Sequence, residues 1–177
     1  SKRFQFERFI LTQLLVMALK GVPAFYLPAL LASENDIKSF SMTGQRRDLN
    51  REKFKLDNLV SVLNNPESNA NKNIKYLGNA MDIRSKLEQF HPSSEMECLS
   101  KGRSDIVVIK RGKGPKSVFA IHNMTENKIN YQLDDYDLPE LIDNDFNMKD
   151  FLASTKYNWK NISLDPFQVI WLGSLMK

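Results

Sequence analysis

A single cysteine, Cys98, stands in 177 residues, so no disulfide can form within the chain. That scarcity fits a reducing compartment, and the expected localisation is cytoplasmic. Two histidines, His91 and His122, are the other nitrogen or sulfur ligands at hand, too few for a structural zinc site, and no metal is expected. Long hydrophobic runs are missing as well. The most apolar stretch, residues 9–19, is broken by Thr12 and Gln13 and is too short to span a bilayer. No small-residue cleavage site follows it, so it does not read as a signal peptide, and no membrane partner is expected. The sequons Asn123-Met124-Thr125 and Asn161-Ile162-Ser163 then read as chance matches. A strong charge of one sign is also lacking. The 25 basic and 21 acidic side chains leave a net +4 spread along the chain. A nucleic-acid domain concentrates basic charge on one face and carries fewer acids, so nucleic acid is not the expected partner.

What is present is ordinary for a globular protein: 42% hydrophobic and 26% charged residues, enough chain for one large domain or two small ones. Phe6, Phe9, Ile10, Leu14 and Met17 recur at helical spacing, and Leu11, Leu15, Val16 and Leu19 widen the stripe almost all round. Gly21 is the expected end of that helix. Residues 22–27 are apolar on both faces and β-prone, which suits a strand buried on both sides of a parallel sheet. Residues 32–53 read as a long irregular loop, a feature that in a compact domain is usually functional or disordered. Leu56, Leu59, Val60 and Leu63 predict a short amphipathic helix stopped at Asn64-Asn65-Pro66, and 69–73 reads as a polar connector. A further helix is expected over 72–90, closed by His91-Pro92.

Beyond residue 95 the period changes to that of strands. Residues 105–110, 116–122, 128–133 and 167–172 are each expected to be a strand, with tight turns between the first three. In the second of these, Val118, Ala120 and His122 share one face while Phe119 and Ile121 share the other. The expected architecture is α/β then all-β, divided into residues 1–94 and an antiparallel β-domain at 95–177.

Several stretches carry a resemblance to a known family. They are Gly21-Val22-Pro23-Ala24-Phe25-Tyr26, Leu30-Leu31-Ala32-Ser33-Glu34-Asn35-Asp36, Thr43-Gly44-Gln45-Arg46-Arg47-Asp48-Leu49-Asn50-Arg51-Glu52-Lys53, Phe90-His91-Pro92 and Leu164-Asp165-Pro166-Phe167-Gln168-Val169-Ile170-Trp171-Leu172. In that order they resemble the sucrose phosphorylase group of the α-amylase superfamily. The resemblance implies the C-terminal third or so of such an enzyme. Residues 1–20 would be helix 7 of a (β/α)8 barrel, 22–27 strand 8, and 72–90 helix 8, followed by the small antiparallel β-domain. The implied activity is retaining transfer of a glucosyl unit from a sucrose-like α-glucoside to inorganic phosphate, which is a co-substrate; no cofactor is implied. The implied partners are that substrate, phosphate and the missing N-terminal part of the barrel. The family's catalytic carboxylates come from strands four, five and seven, so no catalytic residue is assigned here and the stretch alone is expected to be inactive. Fructose, fructose phosphate and glycerate all remain open as leaving groups.

The residues of the 32–53 loop are where the resemblance meets the substrate. Barrel active sites sit at the C-terminal ends of the strands, so the loop after strand 8 is expected over the site. Arg47 matches the family's arginine that binds hydroxyls of the transferred glucosyl unit. Its planar fork of donors suits vicinal hydroxyls. Arg46 and Arg51 are further substrate-binding candidates, with solvated or salt-bridged positions as the alternative and an Arg51–Asp48 brace favoured. Asn35 and Asp36 either line the rim of the site or form an ordinary turn. Tyr26 is expected in the core, His91 at a helix end, and Trp171 in packing between barrel and β-domain. The acidic run Asp134, Asp135, Asp137, Asp143 and Asp145 has no calcium-loop order and reads as a solvated loop. Hydrolase or transglucosylase activity of the same superfamily is the alternative chemistry. A stand-alone module binding an anionic ligand or RNA is the alternative class.

Overall fold

The computed structural model describes residues 3–100, 102–134 and 147–174. The acidic run considered for calcium lies, apart from Asp134, outside the described residues. Contacts divide the chain into two compact units, Ser1–Pro23 with Ala80–Lys177, and Ala24–Asn79.

The first unit begins with helix α1 (Gln5–Ala18), which buries Ile10, Leu11, Leu14, Met17 and Ala18. Val16 and Leu19 stay exposed, so the stripe is covered along one broad side and not all round. The last helical turn gives way at Leu19, which is extended, and Gly21 turns the chain two residues later at φ +112. The end of helix α5 (Asn69–Lys86) and a 3-10 turn at Glu88–Phe90 also belong to this unit.

Its sheet contains β1 (Met96–Cys98), β2 (Ile106–Arg111), β3 (Val118–Asn123), β8 (Val169–Gly173), β5 (Asn147–Asp150) and β6 (Lys156–Asn158), in that order across the sheet. All of its pairings are antiparallel. The strands β4 (Ile129–Tyr131) and β7 (Ile162–Leu164) pair separately. The four strands expected near 105–110, 116–122, 128–133 and 167–172 are all present. β1, β5, β6 and β7 are not among the expected strands; each is three or four residues long.

Alternation explains why β3 is buried at every position. Phe119 and Ile121 join Ile106, Val108, Ile162, Leu164, Ile170 and Leu172 in the core. Val118, Ala120 and His122 occupy the other face, on the side of α1, which lies against β3. Ala120 stands directly opposite Trp171 in the β3–β8 register, where a small side chain leaves room for the indole. Trp171 is fully buried and packs against Phe90 in a tilted arrangement, with ring centroids 4.7 Å apart.

The second unit starts where a buried strand was expected. Residues 22–26 enter no ladder among the described residues. Val22 is 80% exposed, and Tyr26, expected in a core, is 54% exposed. A β-prone apolar segment becomes a strand only beside another strand, and no described strand pairs with this one. Helix α2 (Leu27–Leu30) follows at once, with Pro28 in its first turn.

The region 32–53 is more ordered than its composition suggested. It holds helix α3 (Ile37–Thr43) and a 3-10 turn at Arg46–Asn50. Helix α4 (Leu56–Asn64) ends before Pro66, as its spacing predicts. The expected connector 69–73 is instead the start of α5. Ser68 caps it, its Oγ accepting from Asn71 N at 3.0 Å, and that cap outweighs the low helix preference of three asparagines.

Candidate functional site

The candidate residues all lie in Ala24–Asn79, and local chemistry positions them. Asp36 is the N-cap of α3. Its Oδ1 accepts from Ser39 N at 2.9 Å and its Oδ2 from the Ser39 hydroxyl at 2.5 Å. Donation from that hydroxyl, then from the amide, holds the Asp36 carboxyl below its ordinary range. At the other end Gly44 takes φ +67 and its N–H donates to Phe40 O at 2.8 Å, the left-handed close that favours glycine. Asp36 N then donates to Leu49 O at 2.7 Å, joining the start of α3 to the 3-10 turn.

That bond brings the two halves of the sequence candidate set together. Asn35 and Asp36 sit on one side of it, and Arg46, Arg47 and Arg51 on the other. Asn35 is exposed and contributes a backbone carbonyl to Ile37 N at 2.9 Å. Arg46 and Arg51 are exposed, and neither guanidinium has an ion pair among the described residues. The expected brace between Arg51 and Asp48 is made by backbone alone, Arg51 N to Asp48 O at 3.4 Å. The Asp48 carboxylate is taken instead by the Thr43 hydroxyl, which donates to Oδ2 at 2.5 Å. Thr43 is nearer in space because Gly44 folds the end of α3 back over the turn.

Arg47 is 65% exposed, and its Nε comes no closer than 4.0 Å to Asp48 Oδ1. An exposed pair at that distance contributes little, so the fork of N–H donors is available to a ligand. The loop can therefore offer three guanidinium groups on a short turn whose backbone is closed by hydrogen bonds. Among the described residues no group of three or more His, Cys, Asp or Glu side chains comes together as a metal site. Nor is any described helix long and apolar enough to cross a membrane.

One polar residue of this unit escaped the sequence reading. Asn73 is fully buried on α5, and its Nδ2 donates to Ala29 O at 2.9 Å and Leu30 O at 2.7 Å. Nothing in a run of polar residues marks one asparagine as buried; the signal exists only in the packing.

No protein-family model matches the chain. Its similarity to individual proteins is more informative. It is 30% identical over 126 residues to a glucosylglycerate phosphorylase of Allomeiothermus silvanus, covering 71% of this chain and 22% of that protein. A glucosylglycerate phosphorylase of Escherichia coli is 21% identical over 165 residues, 93% of this chain and 28% of that protein. The chain thus spans about a quarter of the length of the curated relatives it matches. Among solved structures, a trehalose-6-phosphate hydrolase of Bacillus licheniformis aligns with a TM-score of 0.67 at 15% identity, over 96% of this chain and 39% of that one. An α-amylase of Anoxybacillus aligns with a TM-score of 0.65 at 18% identity, over 97% of this chain and 33% of that one. At such identities the structural likeness speaks for the fold alone. Sequence and fold agree on one conclusion: the chain matches a part of glucosylglycerate phosphorylases, and it has the fold of the matching part of α-amylase-type glycosidases.

Proposed function

We propose that the protein carrying this chain is a retaining α-glucoside phosphorylase. It moves a glucosyl unit from a sucrose-like α-glucoside to inorganic phosphate, without a cofactor. The names of its relatives make glucosylglycerate the first donor to test. In this reading 1–94 completes the barrel begun by an N-terminal portion of the same enzyme, and 95–177 is the domain that follows it.

The observation that carries the reading is Arg47, exposed on a turn closed by backbone bonds, with a 4.0 Å pair to Asp48 as its ion pair among the described residues. Such a fork fits vicinal sugar hydroxyls. Arg46, Arg51, Asn35 and the Asp36 backbone would form the rim around it. The reaction itself needs a carboxylate to attack the anomeric carbon and a carboxylic acid, about 5 Å away, to protonate the leaving oxygen. The glycosidic bond breaks as the glucosyl–carboxylate bond forms, and phosphate oxygen then displaces that carboxylate. Both groups come from the rest of the barrel, and this chain supplies one wall of the glucosyl subsite.

Incubating the intact protein with glucosylglycerate, sucrose or sucrose 6-phosphate tests the reading. Glucose 1-phosphate should appear in proportion to added phosphate. Release of free glucose at a rate independent of phosphate would replace it with hydrolysis, and no turnover of any α-glucoside would end it.

A further inference from the structure

The backbone between α2 and α3 is held in a costly arrangement. Ala32 sits at φ +48, a left-handed conformation that residues with a Cβ rarely adopt. Such a residue persists only where its surroundings over-determine it. Here Ser33 donates from both N and Oγ to Pro28 O, at 2.9 and 3.0 Å, and Ala32 N donates to Ala29 O at 3.1 Å. The remaining carbonyl that closes α2, Leu30 O, is met by Asn73 together with Ala29 O.

Asn73 reaches these atoms from 43 and 44 residues along the chain. A carboxamide carries two N–H donors on one nitrogen, so one side chain can serve two carbonyls. The reverse orientation would set Oδ1 against both carbonyls, which fixes the assignment of the amide. Its Oδ1 is buried without a partner among the described residues. A buried acceptor left unmet costs stability, a cost that an apolar side chain at this position would not carry. The supporting helix is itself pinned nearby: Asn71 Nδ2 donates to Leu63 O at 2.5 Å, and Ser68 caps the turn.

We propose that Asn73 is a positioning residue for the substrate-facing loop: its two N–H groups fix where the chain leaves α2, and so set where residues 35–51 present Arg47. This rests on the reading of that loop as the glucosyl subsite wall. The asparagine touches no substrate; it acts through the carbonyls of Ala29 and Leu30.

Two readouts on the intact protein separate the inference from the function it rests on. Asn73→Asp keeps the volume and replaces the nitrogen that carries both donors with an oxygen. Amide exchange across 32–51 should then accelerate by about tenfold or more. KM for the glucosyl donor should rise at least about fivefold, with a smaller change in kcat. Asn73→Ser keeps one donor; it should show an intermediate effect, and it serves where the Asp variant does not fold. Leu77→Ala removes a fully buried side chain from the next turn of the same helix. It should lower the melting temperature while leaving loop exchange and KM near wild type. Unchanged exchange over 32–51 in a folded Asn73 variant would overturn the inference. Equal loop exchange in Leu77→Ala would do the same, by making the effect general destabilisation. Should the wild type turn over no α-glucoside, the subsite reading falls, and the exchange arm still decides whether Asn73 anchors the loop.

Discussion

Arg111 donates from Nη1 to the carbonyl of Leu19 at 2.7 Å, across 92 residues of chain. The same nitrogen donates to Ala18 O at 2.9 Å, while Nη2 donates to His91 O at 3.0 Å and Nε to Glu95 O at 3.3 Å. Arg84 adds Met17 O and Gly21 O, each at 2.9 Å. Two guanidinium groups thus satisfy the carbonyls at the end of α1 with no carboxylate among these contacts. The Phe90 ring lies 5.7 Å from one guanidinium and 5.5 Å from the other. Cations at a helix C-terminus oppose the negative end of its dipole. Burial, then the charge of Arg84, makes Arg111 easier to deprotonate than an ordinary arginine.

Arg111→Met should cost about 3 kcal/mol of folding stability, because carbonyls buried at the helix end lose their donors. Arg111→Lys should recover less than half of that, since an ammonium keeps the charge but not the planar fork. The urea midpoint at constant m-value measures both. A Met variant as stable as wild type would show that water replaces the guanidinium.

His122 makes stability depend on pH. It is fully buried on β3, with Nδ1 3.2 Å from Val107 O, and burial lowers its pKa from 6.5 to about 4. The unfolded chain therefore takes up this proton first as the solution is acidified. The contribution is complete above pH 6.5 and lost progressively down to pH 4, reaching about 3 kcal/mol. Asp150 works in the opposite sense. Burial raises its carboxyl despite donation from Trp171 N, Leu152 N and Ala153 N, so acidification relieves a cost in the folded state. His122→Gln should flatten the acid limb between these two pH values when stability is followed by denaturant titration. An unaltered slope would mean that the imidazole is hydrated in the folded protein.

Arg47→Ala in the intact protein should lower kcat/KM for glucosyl transfer by about a hundredfold. Its melting temperature should barely move, because the side chain is exposed and weakly paired. A rate constant within twofold of wild type would remove Arg47 from the subsite.

Asp36 separates capping from ligand contact. Serine is also a good N-cap, so Asp36→Ser should keep α3 formed and preserve transfer within about threefold, whereas Asp36→Ala should fray α3 and slow transfer. Backbone exchange at Ser39 and Phe40 reports the cap directly. Equal loss of activity in both variants, with α3 intact in the Ser variant, would make the carboxylate itself a substrate ligand.

Legibility in the sequence followed the length and regularity of each element. The stripe from Phe6 to Met17 predicted α1, and Val118, Ala120 and His122 against Phe119 and Ile121 predicted both faces of β3, because each spans several periods. Residues 22–26 share that apolar character, yet pairing decides whether such a segment is a strand. The loop at 32–53 appeared irregular because its helix is seven residues long and depends on Asp36, Ser39 and Gly44. Of the candidate site, the arginines entered through the resemblance carried by residues 43–53, whereas Asn73 was hidden among polar neighbours.

Composition and period by themselves determined the helices long enough to repeat, the switch to strands after residue 95 and the cluster of arginines at 46–51, because these are properties of neighbouring residues. Tertiary structure alone decided that Arg84 and Arg111 converge on the end of α1, that Asp48 bonds to Thr43, and that Asn73 spans Ala29 and Leu30. Each of these is a hydrogen bond whose partner is chosen by proximity in space, and a buried carbonyl takes whichever donor the packing brings within reach.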